Sequence, residues 1–422
     1  MNPTEHSAIN TTQPLPVLLT GGYTCRNRGD WALAESALQS VRRAGLPARI
    51  LTQVFKPTGE PPIDEPLDVI AITDESGPRR QKLMSLGLKP LYYAAQARDM
   101  RRHLREAKRR LHDAGAVGDP LLWYVGGGYM NDVIAHGPYS TRLGLVALDE
   151  GYRVILTGQT IGPYRTPRFQ SQIEEFLRRV DFLSVRDPES LERVNAIQGL
   201  RCEPQLRLDD AFYLDTLTMS TDELRRAVLE QQGVTLPERW VFFTAHRQGG
   251  TDTPPAFDAM AQVAREAITK GYGAVFVSMF GHPTPEDEPL LRIVQELGEN
   301  AHYVDWRATV PMIRALTRDA SLIVSTRLHA LIFGLHAGTP GMCLYSGEYY
   351  RAKAFRTVER WGMGELALDV SKDAESIVPI AIDALERESE LREVISQRRP
   401  PETGKPNPAI AFLEQLAQRH PA

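Results

Sequence analysis

The stretch Leu15–Arg43, LPVLLTGGYTCRNRGDWALAESALQSVRR, decides the fold. Leu15 to Thr20 is an apolar run of strand length. Gly21 to Gly29 is a glycine-rich turn, and from Asp30 to Arg43 the residues Leu33, Ala34, Ala37, Leu38 and Val41 fall on one helical face. A strand, a tight turn and an amphipathic helix in that order form the opening of a parallel βα unit.

The rhythm continues outward. Strands are predicted at Ala48–Val54, Leu121–Val125, Arg153–Thr157 and Phe182–Val185, with Phe169, Ile173, Phe176, Leu177 and Val180 marking a helix between the last two. It restarts at Trp240–Ala245, followed by a helix around Phe257–Ile268, strands at Ala274–Met279 and Ser321–Ser325, a helix carrying Ala330, Leu331 and Leu335, and a strand at Gly341–Tyr345. The expectation is an α/β protein of two Rossmann-like domains, 15–214 and 238–397, joined by a linker over 215–237 that holds a charged helical stretch, Thr221–Gln232. Residues 1–14 read as a disordered arm. Residues 398–422 read as a proline-rich segment ending in a short apolar helix, Ile410–Ala417, that docks elsewhere on the fold.

Among the 422 residues, 42% are hydrophobic and 24% charged, which supplies packed cores and excludes a disordered or fibrous chain. A net charge of −4 provides no general field for nucleic acid, so an anionic ligand must be met locally. Cys25, Cys202 and Cys343 are too few and too far apart for a disulfide framework or a zinc site, and they read as small core residues of a reducing compartment. The chain opens without a signal-peptide pattern, and its apolar runs fall far short of the ~20 residues that span a bilayer. A cytoplasmic protein is expected. One segment departs from the charge balance: Arg79 to His112 sets eleven Lys or Arg against Asp99 and Glu106. Its seam of Met100, Leu104, Ala107 and Leu111 fits either the protein core or an anionic lipid surface at the inner face of the membrane.

Doubly wound sheets bind ligands at the carboxyl ends of their strands, so the turns there are the candidates for chemistry. Asn27-Arg28-Gly29-Asp30 opens a helix and could hold an anion or a sugar, or could simply cap that helix. Gly126-Gly127-Gly128 lets backbone approach a partner closely, with Asn131 and Asp132 beside it to form hydrogen bonds. In Gly158-Gln159-Thr160-Ile161-Gly162-Pro163, Gln159 and Thr160 can read hydroxyls, the alternative being a structural turn. Ser184-Val185-Arg186-Asp187-Pro188 leaves Arg186 projecting from a strand end, as an anion ligand or a salt-bridged arginine. Ser325-Thr326-Arg327-Leu328-His329 brings a guanidinium and an imidazole together where a strand becomes a helix. The first can hold carboxylate or phosphate at two points, and the second can trade protons near neutral pH. Neither a carboxylate ladder nor a His/Cys cluster points to a metal or cofactor, and an activity that survives chelators is expected.

Taken in order, these five motifs resemble the polysaccharide pyruvyl transferase family over roughly residues 15 to 370. The resemblance implies a fold similar to GT-B glycosyltransferases, with an N-terminal acceptor side and a C-terminal donor side facing a cleft. It implies phosphoenolpyruvate as co-substrate and a pyruvate ketal installed on a sugar, free or lipid-linked, of a cell-surface polysaccharide or its precursor. It places Arg186, Arg327 and His329 in the catalytic site and Arg186, Arg327, Leu328, His329 and Lys353 around the donor, with Tyr345 and Lys353 in a secondary role. Asn27, Gly29, Asp30, Gly127, Gly128, Asn131, Asp132, Gln159 and Thr160 fall to the acceptor side. A nucleotide-sugar glycosyltransferase and a non-catalytic partner in polysaccharide assembly are the alternatives within the same architecture.

Overall fold

Strands that bury both faces and are separated by helices can satisfy their backbone only by parallel pairing under helical cover. The computed structural model, which describes residues 13–21, 27–55, 68–72, 85–133, 136–246, 254–285 and 287–418, has that arrangement twice. The first sheet comprises β1 (Leu15–Thr20), β2 (Ala48–Phe55), β3 (Asp68–Ile72), β4 (Leu121–Tyr124), β5 (Gly127–Met130), β6 (Arg153–Ile161), β7 (Phe182–Val185) and β8 (Gln205–Leu206). Its order is β3-β2-β1-β4-β6-β7-β8, with β5 paired to β6, and all these pairings are parallel. The second sheet comprises β9 (Trp240–Thr244), β10 (Gly273–Val277), β11 (Ala301–Val304), β12 (Leu322–Ser325), β13 (Gly341–Tyr345) and β14 (Ala367–Asp369), ordered β11-β10-β9-β12-β13-β14 and again parallel. The architecture is α/β in two sheet units, as the alternation predicts.

The segments around the sheets refine that reading. Thr221–Gln232 is a helix closed by a Ser220–Glu223 capping box and by Gly233 in the left-handed region, φ 69°. It is fastened to the second unit, where Thr221 Oγ1 donates to Asp319 at 2.9 Å. Pro14, assigned to the disordered arm, accepts a hydrogen bond from Val117 N at 2.9 Å, whereas residues 1–12 lie outside the described residues. The final helix, Ala409–Gln418, returns to the first unit: Phe412 meets Phe182 with ring centroids 6.2 Å apart, and Asn407 N donates to Ser40 Oγ at 2.9 Å. In the helix Lys89–Asp113 the seam Met100, Leu104, Ala107 and Leu111 is buried, so it faces the protein core and not a lipid surface. Among the described residues no helix is long and apolar enough to cross a membrane.

Candidate active site

Strand ends supply the site because parallel pairing turns the carboxyl edge of every strand in a sheet the same way. At the end of β7, Asp187 accepts from Ser190 N at 2.7 Å and Pro188 takes the first position of the helix Pro188–Asn195. This leaves Arg186 between strand and cap. Its side chain is 4% exposed. Nε donates to Thr160 Oγ1 at 2.8 Å, Nη1 donates to Asp209 Oδ2, and Nη2 is buried with no hydrogen-bond partner among the described residues. Thr160 Oγ1 in turn donates to Asp187 Oδ2 at 2.9 Å, which fixes the fork.

Asp209 stands after the two-residue strand β8, and its Oδ1 accepts from Ala211 N at 3.0 Å. Burial favours the neutral acid, but the charges of Arg186 and His329 and the Ala211 N–H outweigh it and hold this carboxyl below its usual value. Asp210, next in sequence, is driven the other way. Burial pushes its carboxyl up to about 7, opposed by bonds from Thr157, Gly126 N and Asn407, with Asp209 adding to the rise.

On the facing unit, β12 ends at Ser325, whose Oγ accepts from Arg327 N at 2.8 Å and donates to Arg327 O at 2.9 Å, turning the chain into the helix Leu328–Ala337. The Arg327 guanidinium lies 4.3 Å from the Phe280 ring centroid, and its Nε donates to Ala245 O at 2.8 Å. Leu328 is buried. His329 Nε2 stands 4.0 Å from Asp209 Oδ1, with Gly29 of the first unit against the other side of the ring. A Cβ on Gly29 would lie 2.1 Å from His329 Nδ1, so the helix Arg28–Arg43 reaches the imidazole only as glycine. Arg28 N donates to Met279 O at 2.9 Å, Arg28 Nη2 donates to Trp306 O at 2.7 Å, and Asn27 bridges Phe280. Later on the same helix His336 contributes to structure: Nε2 lies 3.2 Å from Leu214 O, and burial pushes the imidazole down to about 3.

The structure therefore links Arg186 and His329 through Asp209, a residue that motif reading passed over, and sets Arg327 two residues before the imidazole. Several residues assigned to the acceptor side have other work. Gln159 is fully buried within β6, which runs on to Ile161, and its Nε2 donates to Val125 O at 2.9 Å and Thr157 O at 3.0 Å, while its Oε1 has no hydrogen-bond partner among the described residues. Thr160, in that strand too, braces Arg186. Gly127 and Gly128 belong to β5, not to an open loop. Asn131 is buried, with Nδ2 donating to Gly128 O and Oδ1 accepting from Val133 N, both at 2.9 Å. Asp132 accepts from Arg165 N at 2.6 Å, Thr166 N at 2.9 Å and Thr166 Oγ1 at 2.7 Å, tying down the turn before the helix Pro167–Arg178. Asn27 caps its helix by accepting from Gly29 N at 2.9 Å, while Asp30 is half-buried in the first turn. Tyr345 is buried at the end of β13 and Lys353 falls in the helix Glu348–Arg360, its side chain outside those described. Cys25 and Arg79 likewise lie outside the described residues.

Comparison with known proteins agrees with this layout. The model of the family described as polysaccharide pyruvyl transferase matches residues 27–348. The amylovoran biosynthesis protein AmsJ of Erwinia amylovora is 24% identical over 383 residues, covering 84% of this chain and 88% of that one. Among solved structures, a putative UDP-N-acetylglucosamine 2-epimerase from Listeria monocytogenes superposes with TM-score 0.63 at 12% identity, covering 96% of each chain. UDP-GlcNAc 2-epimerase from Neisseria meningitidis superposes with TM-score 0.60 at 10% identity, covering 96% of this chain and 100% of that one. At such identities these two matches establish a GT-B-like fold and nothing of the reaction. The chain belongs to the polysaccharide pyruvyl transferase family.

Proposed function

We propose that this member of the family transfers pyruvate as a ketal from phosphoenolpyruvate to a sugar of a cell-surface polysaccharide or its precursor. What carries the reading is Arg186 Nη2: a guanidinium nitrogen, buried without a partner among the described residues, on a side chain bonded to Asp209, whose other oxygen lies 4.0 Å from His329 Nε2 of the facing unit. A buried donor left unsatisfied is costly unless a ligand completes it. Phosphoenolpyruvate carries a carboxylate and a phosphate, which two arginines on facing strand ends, Arg186 and Arg327, can hold in a partly dry cleft.

His329 then acts as the general acid. It delivers a proton to the methylene carbon, which becomes the methyl group, and an oxocarbenium-like centre forms at C2. One sugar hydroxyl adds to that centre and its proton restores the imidazolium, and a second displaces inorganic phosphate, which leaves with the other hydroxyl proton as the ketal closes. No cofactor enters this scheme. The basic helix Lys89–Asp113 gives a route by which a lipid-linked acceptor is met at a membrane surface, since Arg101, Arg102, Arg105 and Arg109 keep substantial exposure.

The test is thermal unfolding of wild type and Arg327→Ala with phosphoenolpyruvate, nucleoside diphosphates and nucleotide sugars. Stabilisation by phosphoenolpyruvate alone, lost in the variant, is the expected outcome. Stabilisation by a nucleotide alone would overturn the reading in favour of a glycosyltransferase.

A further inference from the structure

We infer that Asp209 is a positioning residue that couples the two halves of the site, orienting Arg186 from one unit and holding the charge and direction of His329 from the other. The inference rests on the reading of Arg186 and His329 as ligand-binding and proton-donating groups, and it adds a residue that lies outside the motifs. Three observations carry it. First, the carboxylate is divided: Oδ2 takes the Arg186 Nη1 donor, while Oδ1 takes the Ala211 N–H and faces His329 Nε2 at 4.0 Å. Secondly, both partners of the ion pair are almost wholly buried, the side chains being 4% and 2% exposed, so solvent screens little of the interaction. Thirdly, the imidazole cannot retreat, because Gly29 abuts the opposite side of its ring.

A bidentate guanidinium with one arm committed to Asp209 and another to Thr160 presents its remaining nitrogen in a fixed direction. A carboxylate facing Nε2 favours the protonated ring needed at the start of the reaction, when the proton must be given away. One side chain thus sets the anion-holding donor and the proton donor in register across the units, which is the geometric requirement for protonating a bound enol phosphate.

The experiment compares Asp209→Asn with wild type by three readings: unfolding temperature, steady-state kinetics with phosphoenolpyruvate, and the imidazole ¹⁵N shifts of His329 in ligand-free protein, assigned by their absence in His329→Ala. The shifts report charge and tautomer whatever the protein transfers. Expected are altered His329 shifts, a fall in kcat of about tenfold or more, and no further fall when Asp209→Asn is added to His329→Ala. Unmoved His329 shifts, or losses that simply multiply in the double variant, would overturn the inference. If the shifts move yet phosphoenolpyruvate neither binds nor reacts with wild type, the pyruvyl reading fails and the role of Asp209 stands. Should Asp209→Asn not fold, Asp209→Glu keeps the buried charge beside Arg186 and displaces its oxygens by one methylene. The same three readings then apply, with the kcat loss exceeding the change in phosphoenolpyruvate KM.

Discussion

Two neighbouring carboxylates, Asp209 and Asp210, serve two regions with opposite habits. Asp210 faces into the first unit, where Gly126 N at 2.8 Å, the Thr157 hydroxyl and Asn407 Nδ2 at 2.9 Å all bond it, and its backbone oxygen takes the Ser36 hydroxyl at 2.6 Å. Asp209 faces the second unit, where His329 Nε2 lies 4.0 Å from its Oδ1, and its partner Arg186 keeps a buried nitrogen unbonded among the described residues. Satisfied polar groups hold a fold together, whereas a buried donor left over can still give a bond to a further group. On this comparison the largest functional effect belongs to the cleft. His329→Ala should lower turnover by more than about 10²-fold while leaving the unfolding temperature within a few degrees of wild type. Near wild-type turnover in that variant would remove the proton-donor role and with it the contrast between the regions.

The glycine-bearing strands β5 and β6 should respond in stability before activity. Gly158 has φ +53°, and a Cβ there would lie 2.7 Å from Asp210 Oδ1. Gly158→Ala therefore meets both left-handed backbone strain and a buried carboxyl, an expected loss of about 2–4 kcal/mol in denaturant unfolding. A loss under about 1 kcal/mol would mean that the cradle around Asp210 is slack. A smaller effect follows from the proton on Asp210. Its carboxyl titrates at about 7 in the folded chain, against roughly 3.9 when unfolded. Between those values the native state holds a proton that the unfolded chain has released, so this group's contribution is complete below about pH 4 and falls away as pH rises towards about 7. Asp210→Asn should remove that decline, by at most ~1.4 kcal/mol per pH unit, and the difference between the two stability profiles reads it directly. Parallel profiles would show that Asp210 is ionised throughout.

How far the sequence reveals this division depends on the residue. Alternating apolar runs are enough to predict the central strands of both sheets, because a buried parallel strand must be apolar on both faces. The edge strands β3, β8, β11 and β14 escape, as does β5, which pairs only with β6, and β8 has only Gln205 and Leu206. A strand as short as β8 carries no apolar pattern, so nothing in the sequence sets Asp209 and Asp210 at a strand end. Arg186, Arg327 and His329 are legible because an arginine or histidine at such a place is chemically unusual. The glycines are legible only as close approaches. Nothing local distinguishes the approach of a ligand from that of the protein's own Asp210, 84 residues from Gly126 in the chain. Polar side chains such as Gln159 and Asp132 are ambiguous for the same reason, since their partners come from distant strands and turns.

The smallest expected effect lies outside both regions, on the helix Lys89–Asp113. Its apolar seam is spent on the core, so any attraction to a membrane rests on charge, with Leu86, Leu88 and Leu91 exposed near its start as the apolar surface on offer. Part of that charge is already engaged: Arg105 pairs with Glu150 at 2.7 Å, and Arg109 bonds both Glu106 and Asp113. Exposed pairs of this kind are weak and exchange readily with other anions, each basic residue near an anionic surface being worth about 1 kcal/mol at moderate salt. Sedimentation with vesicles containing anionic lipid should therefore show weak binding that disappears as salt is raised. Replacing Arg98, Arg101, Arg102 and Arg105 with Gln should reduce it, with turnover on a soluble acceptor unchanged. Binding indifferent to salt, or none at low salt, would confine this helix to covering the first sheet.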